Sequence, residues 1–322
     1  SYRRAGVSDA SKIVAREIAD DFKREQAKTA HLEAEIARVR KAAAVELPKP
    51  AKRATCGKED TVIVAFPDVH GSLQDRAAVG AFLGDLKQID PDLVIGLGDL
   101  LDAGGFLAQH HAWGYVAETA YTFEDDIAAG NAFLDAVQTN APRAPVQLIE
   151  GNHDQRPEKW AVTAALRKRV DSAWLLSRVS PVETLGLARR GIEYYRRGER
   201  YDGLPVPGAI QRGKLCFTHG LLRGGGDPAK ILVRYGANVV YGHTHWMRSL
   251  ITRTVGGGII GAWNLACLAQ LQPLWQHGDP TGWTHGYGIF IVAKSGNFLP
   301  MPIPIVDGIS LLPEMKLKGA AL

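Results

Sequence analysis

From residue 61 onward, apolar runs of strand length alternate with stretches whose apolar positions recur at helical spacing. Runs at 61–66 (TVIVAF), 93–96 and 146–150 read as strands, and helical patterns fall near 74–87, between 107 and 139, and near 159–169. That alternation predicts an α/β order. The second half is richer in strands, at 192–195, 214–218, 239–241, 249–255, 259–263, 287–293 and 301–306, and holds no internal repeat.

The beginning of the chain follows another pattern. No Gly or Pro occurs between residues 8 and 45, and Ala, Glu, Lys and Arg dominate, which predicts a long helix or two, with Ser8 as N-cap. Ile18, Phe22, Glu25, Thr29, Leu32, Ile36, Val39 and Ala43 alternate by four and three, a coiled-coil seam with two polar interruptions. Packing on the main domain, self-association into a homo-oligomer and contact with DNA all remain open for it. Residues 48–58 (PKPAKRATCGK) read as a linker. The expected division is a helical appendage at 1–47, a linker at 48–60 and a main domain at 61–322.

Composition narrows the class. The 322 residues are 46% hydrophobic and 22% charged, which suits a globular chain with one large domain and an appendage. Residues 1–54 hold 13 Lys and Arg against 8 Asp and Glu, leaving 25 against 26 for the rest, so the basic character sits in the appendage. Cys56, Cys216 and Cys267 show no CxxC spacing, which argues against a disulfide framework or a zinc ribbon and for a reducing cytoplasm. The longest uncharged stretch, 254–276, is broken by a Gly triplet, Asn264, Gln270, Gln272 and Pro273, so no membrane helix is expected.

Five segments place metal-binding side chains just beyond expected strands: PDVHG at 67–71, GDLLD at 98–102, GNHD at 151–154, THG at 218–220 and GHTH at 242–245. In an open α/β sheet, the carboxyl ends of neighbouring strands meet at one crevice, so distant loops can supply one site. Two carboxylates, an amide and four imidazoles suit Mn²⁺, Fe²⁺, Zn²⁺ or Ni²⁺ better than Ca²⁺. In a locally extended Asp68-x-His70 the two side chains share one side, and His243-x-His245 repeats the arrangement.

A lone Asn-His or His-x-His is common, but D-x-H, G-D-x-x-D, G-N-H-D, H-G and G-H-T-H in this order resemble the calcineurin-like metallophosphoesterase family over 61–245. The segments around Trp263-Asn264-Leu265 and Trp283-Thr284-His285-Gly286 further resemble phage and prophage members. The resemblance implies a layered β-sandwich flanked by helices, here with an added long N-terminal helix. It also implies a hydrolase with two divalent cations, Mn²⁺ first and Fe²⁺, Ni²⁺, Zn²⁺ or Mg²⁺ as alternatives. Asp68, His70, Asp99 and His245 would surround one cation; Asp99, Asn152, His219 and His243 would surround the other. His153 would face the leaving-group oxygen as a general acid, and Asp102 would orient it.

Two departures bear on substrate. Phosphoprotein phosphatases of this superfamily follow G-D-x-x-D with Arg-Gly, where this chain has Ala103-Gly104, and they read G-N-H-E where this chain has Asp154. Arg156 is the candidate to contact phosphate in their place, a surface salt bridge being the alternative. The expected partner is a phosphate-ester substrate, with nucleic acid a candidate, and the leading reading is a phosphodiesterase or nuclease. A phosphomonoesterase is the alternative within the class, and a non-catalytic metal-binding scaffold the alternative outside it. Trp263, Trp275 and Trp283 can wall the cleft and stack a base or belong to the core, and His110, His111, His277 and His285 carry no assigned role.

Overall fold

The computed structural model describes residues 60–104, 122–166, 172–201, 206–220, 227–273 and 280–312, with scattered positions between 16 and 34. The chain divides into two units, Ser1–Thr55 and Cys56–Leu322. In the first, the described positions are helical, and Lys28 pairs with Glu25 at 2.7 Å. Ser8, the seam apart from Glu25, and the linker lie outside the described residues, as do Trp275, His110, His111 and His277. No described helix is long and apolar enough to cross a membrane.

The second unit runs β1 (Thr61–Phe66), α1 (Arg76–Ile89), β2 (Leu93–Gly96), α2 (Phe123–Asn140), β3 (Val146–Ile149), α3 (Arg156–Leu166), α4 (Ser172–Val179), α5 (Pro181–Thr184), β4 (Glu193–Tyr195), β5 (Ala209–Arg212), β6 (Leu215–Thr218), α6 (Pro228–Tyr235), β7 (Asn238–Tyr241), β8 (Met247–Arg253), β9 (Ile259–Leu265), β10 (His285–Val292), β11 (Phe298–Val306) and β12 (Ile309–Ser310). These strands make two mixed sheets, ordered β12-β11-β10-β1-β2-β3-β4 and β5-β6-β7-β9-β8. The layered β-sandwich implied by the resemblance is present as these two sheets, and the ligand-bearing loops come from both.

Side-chain alternation along β1 explains how they stack. Val62, Val64 and Phe66 join a core with Phe82 and Leu86 of α1 and Phe133 and Leu134 of α2. Ile63 and Ala65 point the other way, into a second core with Phe217, Val240, Trp263, Leu265 and Phe290. With both faces covered, β1 has to be apolar throughout, which is why it reads as an unbroken run. Trp263 is thus a core residue, edge-on to Phe298 at 5.5 Å, and is not a cleft wall. A smaller core under α6 (Ile231, Leu232, Val239, Tyr241, Ala262) closes the far side.

Caps set the helix starts. Asp75 accepts from Ala78 N at 2.8 Å and Thr122 from Asp125 N at 3.1 Å, beginning α1 and α2. The short elements α4, α5, α6 and β5 did not stand out in the hydrophobic pattern. Helices of that length owe their stability to packing, not propensity, and leave a weak periodic signal.

Phe290 packs between the sheets, edge-on to Phe217 at 5.3 Å. Phe290→Ala is expected to cost about 3–5 kcal/mol, read as a lower urea midpoint, while Leu299→Ala at an exposed position moves it by less than about 0.5 kcal/mol.

Candidate active site

The sequence-marked loops follow β1, β2 and β3 of the first sheet and β6 and β7 of the second, all at carboxyl ends. Tight backbone is needed where they meet. His70, Asp99, His243 and His245 have φ of 57°, 52°, 72° and 59°, the left-handed region that side chains other than Gly seldom adopt. The locally extended geometry expected for 68–70 and 243–245 is therefore not what occurs: left-handed turns aim these side chains inward. Gly98 (φ 103°) lies so close to the next loop that a Cβ would sit 2.7 Å from Gly151 N, and a Cβ on Gly151 would strike the Asp99 carboxylate.

The structure brings the seven sequence-marked side chains into one buried centre. His70 Nε2 and His245 Nε2 are 3.1 Å apart, and His245 Nε2 is 3.5 Å from Asp68 Oδ1. His219 Nε2 is 3.0 Å from Asn152 Oδ1 and 3.2 Å from Asp99 Oδ2, with His243 in the same group. Groupings of Asp68, His70 and His245 and of Asp99, His219 and His243 are each tight enough to share an ion.

Hydrogen bonds on the outer ring nitrogens decide the tautomers. Leu97 O, 2.9 Å from His219 Nδ1, can only accept, so Nδ1 carries the proton and the Nε2 lone pair faces the oxygens of Asn152 and Asp99. The Asp102 carboxylate, 2.9 Å from His70 Nδ1, fixes His70 in the same way and leaves Nε2 toward His245. Facing electron pairs repel unless a proton or a metal ion lies between them.

Electrostatics point the same way. Burial opposes charge on His70, but its bond to Asp102 and the charges of Asp102, Asp99 and Asp68 outweigh it and raise the imidazole to about 9. A centre that draws a proton this strongly also draws cations. His243, pushed down to about 4 by burial and by neighbouring His219, stays a neutral donor. The Nδ1 atoms of His243 and His245 are buried without a hydrogen-bond partner. Bare nitrogens, an amide oxygen and ionised carboxylates around common points form a donor set that fits divalent cations.

His153 lies beside this cluster, its ring edge-on to His70 at 4.5 Å. Its Nδ1 meets Asp102 Oδ1 at 3.1 Å and Asp102 O at 3.0 Å, while Arg156 Nη2 donates to its Nε2 at 2.8 Å. A guanidinium can only donate, so Nε2 is the bare nitrogen and the ring is neutral. Burial holds the ring's pKa down, and the positive charges of His70 and Arg156 add to that. Arg156 is buried and also donates to Asp102 O at 2.9 Å. Its geometry is neither the phosphate contact nor the surface salt bridge expected of it. Asp102 is not a solvated loop acid; it serves two imidazoles at once.

Several further residues support the centre in ways the sequence motifs did not assign. Asp154 accepts from Asp99 N, Gly151 N and Leu101 N at 2.8, 2.9 and 3.0 Å, tying the loops after β2 and β3 together. Burial, then the charge of Asp99, raises its carboxyl to about 7. Asp126 of α2 accepts from Ser72 N at 2.9 Å and Ala103 N at 2.6 Å, joining the loops after β1 and β2. Buried Asn264 bonds Thr244 and so holds the turn between His243 and His245. Arg197 reaches Gly220 O at 3.0 Å. The Trp283 ring stands edge-on to His245 at 4.2 Å and lines a cavity of about 670 Å³ with Met247, Gln270 and Gln272. His285, whose Nε2 lies 2.8 Å from Ala269 O, has a structural role. Side-chain-to-loop bonds of this kind join residues tens of positions apart, and no local motif encodes them.

Two stacked mixed sheets with acid, amide and imidazole side chains on the loops at their carboxyl ends define a protein built to hold metal ions in a phosphoesterase framework. The profile of the calcineurin-like phosphoesterase family matches residues 61–247, and the chain belongs to that family. Its curated relatives include the gene 54 proteins of mycobacteriophages D29 and L5, each 26% identical over 264 residues, covering 76% of this chain and 94% of theirs. Similar solved structures include a single mutant of Vps29 from Entamoeba histolytica (14% identity, TM-score 0.39, 77% of this chain and 95% of that one). Another is a conserved uncharacterized protein, described as a predicted phosphoesterase, from Streptococcus pneumoniae (12% identity, TM-score 0.30, 79% and 97%).

Asp154→Ala removes the acceptor of three backbone N–H groups at the centre. Each orphaned donor costs about 1–3 kcal/mol. The variant is expected to unfold at a clearly lower temperature and to retain less metal per chain by mass spectrometry; unchanged Tm and metal content would show that the loops hold without it.

Proposed function

We propose that this chain is a metal-dependent phosphoesterase acting on phosphodiesters, with nucleic acid the favoured substrate class. The observation that carries the reading is the set of facing donor atoms on five loops, with His153 beside them. Asp68, His70, Asp99 and His245 would hold one divalent cation, and Asp99, Asn152, His219 and His243 the other, with Mn²⁺ the first choice. Such a pair lowers the pKa of water and offsets charge on the phosphoryl oxygens during in-line displacement.

The chain's own groups supply the rest. Asp102 accepts hydrogen bonds from Nδ1 of both His70 and His153, so Nε2 of His153 is the atom left to meet a departing oxygen; bare in the resting site, it would act as general acid after taking up the proton that the attacking water loses. Arg156 now donates to that nitrogen, and a leaving group has to compete with it. Arg156 is therefore a positioning residue for His153.

Three features favour diesters. Ala103 stands where related phosphatases carry arginine, and Arg156 is turned inward, so neither position offers its cation to a dianionic monoester. A diester carries a second ester arm, and a cavity lies on Trp283, whose ring touches His245. Residues 1–54 carry the excess of basic over acidic residues, a composition suited to a polyanion.

With Mn²⁺, the protein is expected to hydrolyse bis-p-nitrophenyl phosphate faster than p-nitrophenyl phosphate and to cut single- or double-stranded DNA, and Asp99→Asn to do neither. Strong monoester preference without nucleic-acid cleavage would sink the diester reading, and full activity of Asp99→Asn would sink the metal assignment.

His153→Gln is expected to keep its metal and slow hydrolysis of nucleotide or alkyl esters by about 10²–10⁴-fold. p-Nitrophenyl esters, whose leaving group departs unprotonated, should lose much less. Equal losses on both would place His153 in positioning, not proton transfer.

A further inference from the structure

Among the described residues, three arginines lie around the centre, and the structure commits two of them. Arg156 is spent on His153 and Asp102 O. Arg196 forms a fork on Glu158 at 2.8 and 3.2 Å and lies 3.6 Å from Glu150. Arg197 is different. Among the described residues no carboxylate lies within ion-pair distance of its guanidinium, which donates to Gly220 O at 3.0 Å and stands 3.5 Å from Asn152 Oδ1.

Its position is built, not incidental. β4 runs parallel to β3 with Tyr195 opposite Ile149, so the chain leaving β4 runs alongside the loop that carries Asn152 and His153. Arg197 N donates to buried Glu150 Oε2 at 2.9 Å, and that carboxylate also accepts from Gln155 at 2.7 Å. The side chain is thereby held half-buried between the loops after β3 and β6, near His219 and His243. A guanidinium does not give up its proton, and one held here without a counter-ion, beside imidazoles, is unfavourable until an anion arrives. Its planar fork suits phosphoryl oxygens, and two of its groups already face the rim of the centre.

We propose that Arg197 is the phosphate-binding residue of this site, holding a non-bridging oxygen of the substrate's phosphoryl group on the Asn152–Gly220 side, away from His153. The assignment rests on the phosphoesterase reading and deepens it: the cation absent at Ala103 comes from the end of β4.

The test uses the full-length, Mn²⁺-loaded protein, with inorganic phosphate as probe. Arg197→Ala is expected to weaken competitive inhibition by phosphate of bis-p-nitrophenyl phosphate hydrolysis by about 10–100-fold, the range for a charge-assisted contact, and to raise KM more than it lowers kcat. Arg197→Lys should recover part of the phosphate affinity, and metal content and Tm should match the parent. Unchanged phosphate inhibition in Arg197→Ala, or loss of bound metal in both variants, would overturn the proposal. If the parent hydrolyses no ester, the phosphoesterase reading fails by itself, and calorimetric titration of phosphate into parent and Arg197→Ala still decides whether Arg197 binds the anion.

Discussion

Asp68, Asp99, Asp102 and Asp154 are buried within a few ångströms of one another's loops, and their charge has to be balanced where water cannot do it. Backbone N–H groups do part of this. His243 N donates to Asp68 at 2.8 Å, His153 N to Asp99 at 2.7 Å, and three N–H groups converge on Asp154. All of those bonds but the one from Gly151 N cross from one loop to another, so compensating the charge is also what joins the loops. Imidazoles supply most of the rest, and the pull on His70 measures how much negative potential remains for cations.

That requirement explains the strained backbone. To point N–H groups at carboxylates and ring nitrogens at one another, the chain after β1, β2 and β7 has to turn sharply, and His70, Asp99, His243 and His245 take left-handed φ values to do so. The glycines beside them allow backbones to touch: Gly98 against Gly151, and Gly242 against the Asp68 carboxylate. The two sheets anchor these turns from both sides. Their shared core around Phe217 and Phe290 sets the spacing at which β1–β3 loops meet those of β6 and β7.

The arginines divide the work of a cationic site. Arg156 fixes the neutral imidazole of His153 from inside, Arg196 locks the end of β4 onto α3 through Glu158, and Arg197 is left with its charge unspent at the rim. Adjacent residues thus serve structure and ligand respectively, where the chain turns just after β4 and Glu199 N donates to Arg196 O.

The sequence by itself determined the α/β order, most strand positions and the seven clustered side chains, because ligand-bearing loops follow apolar strands and both signals are local. What only the tertiary structure decided is how the pieces face one another. The strand order within the two sheets, the inward turn of Arg156, and the freedom of Arg197 beside a committed Arg196 are all set by partners far away in the chain. Asp126 looks like an ordinary polar residue, and the part that Asp154 and Asn264 play within their motifs stays hidden, until packing brings distant backbone amides and hydroxyls to them, since a hydrogen bond across two loops leaves no periodicity or spacing to read.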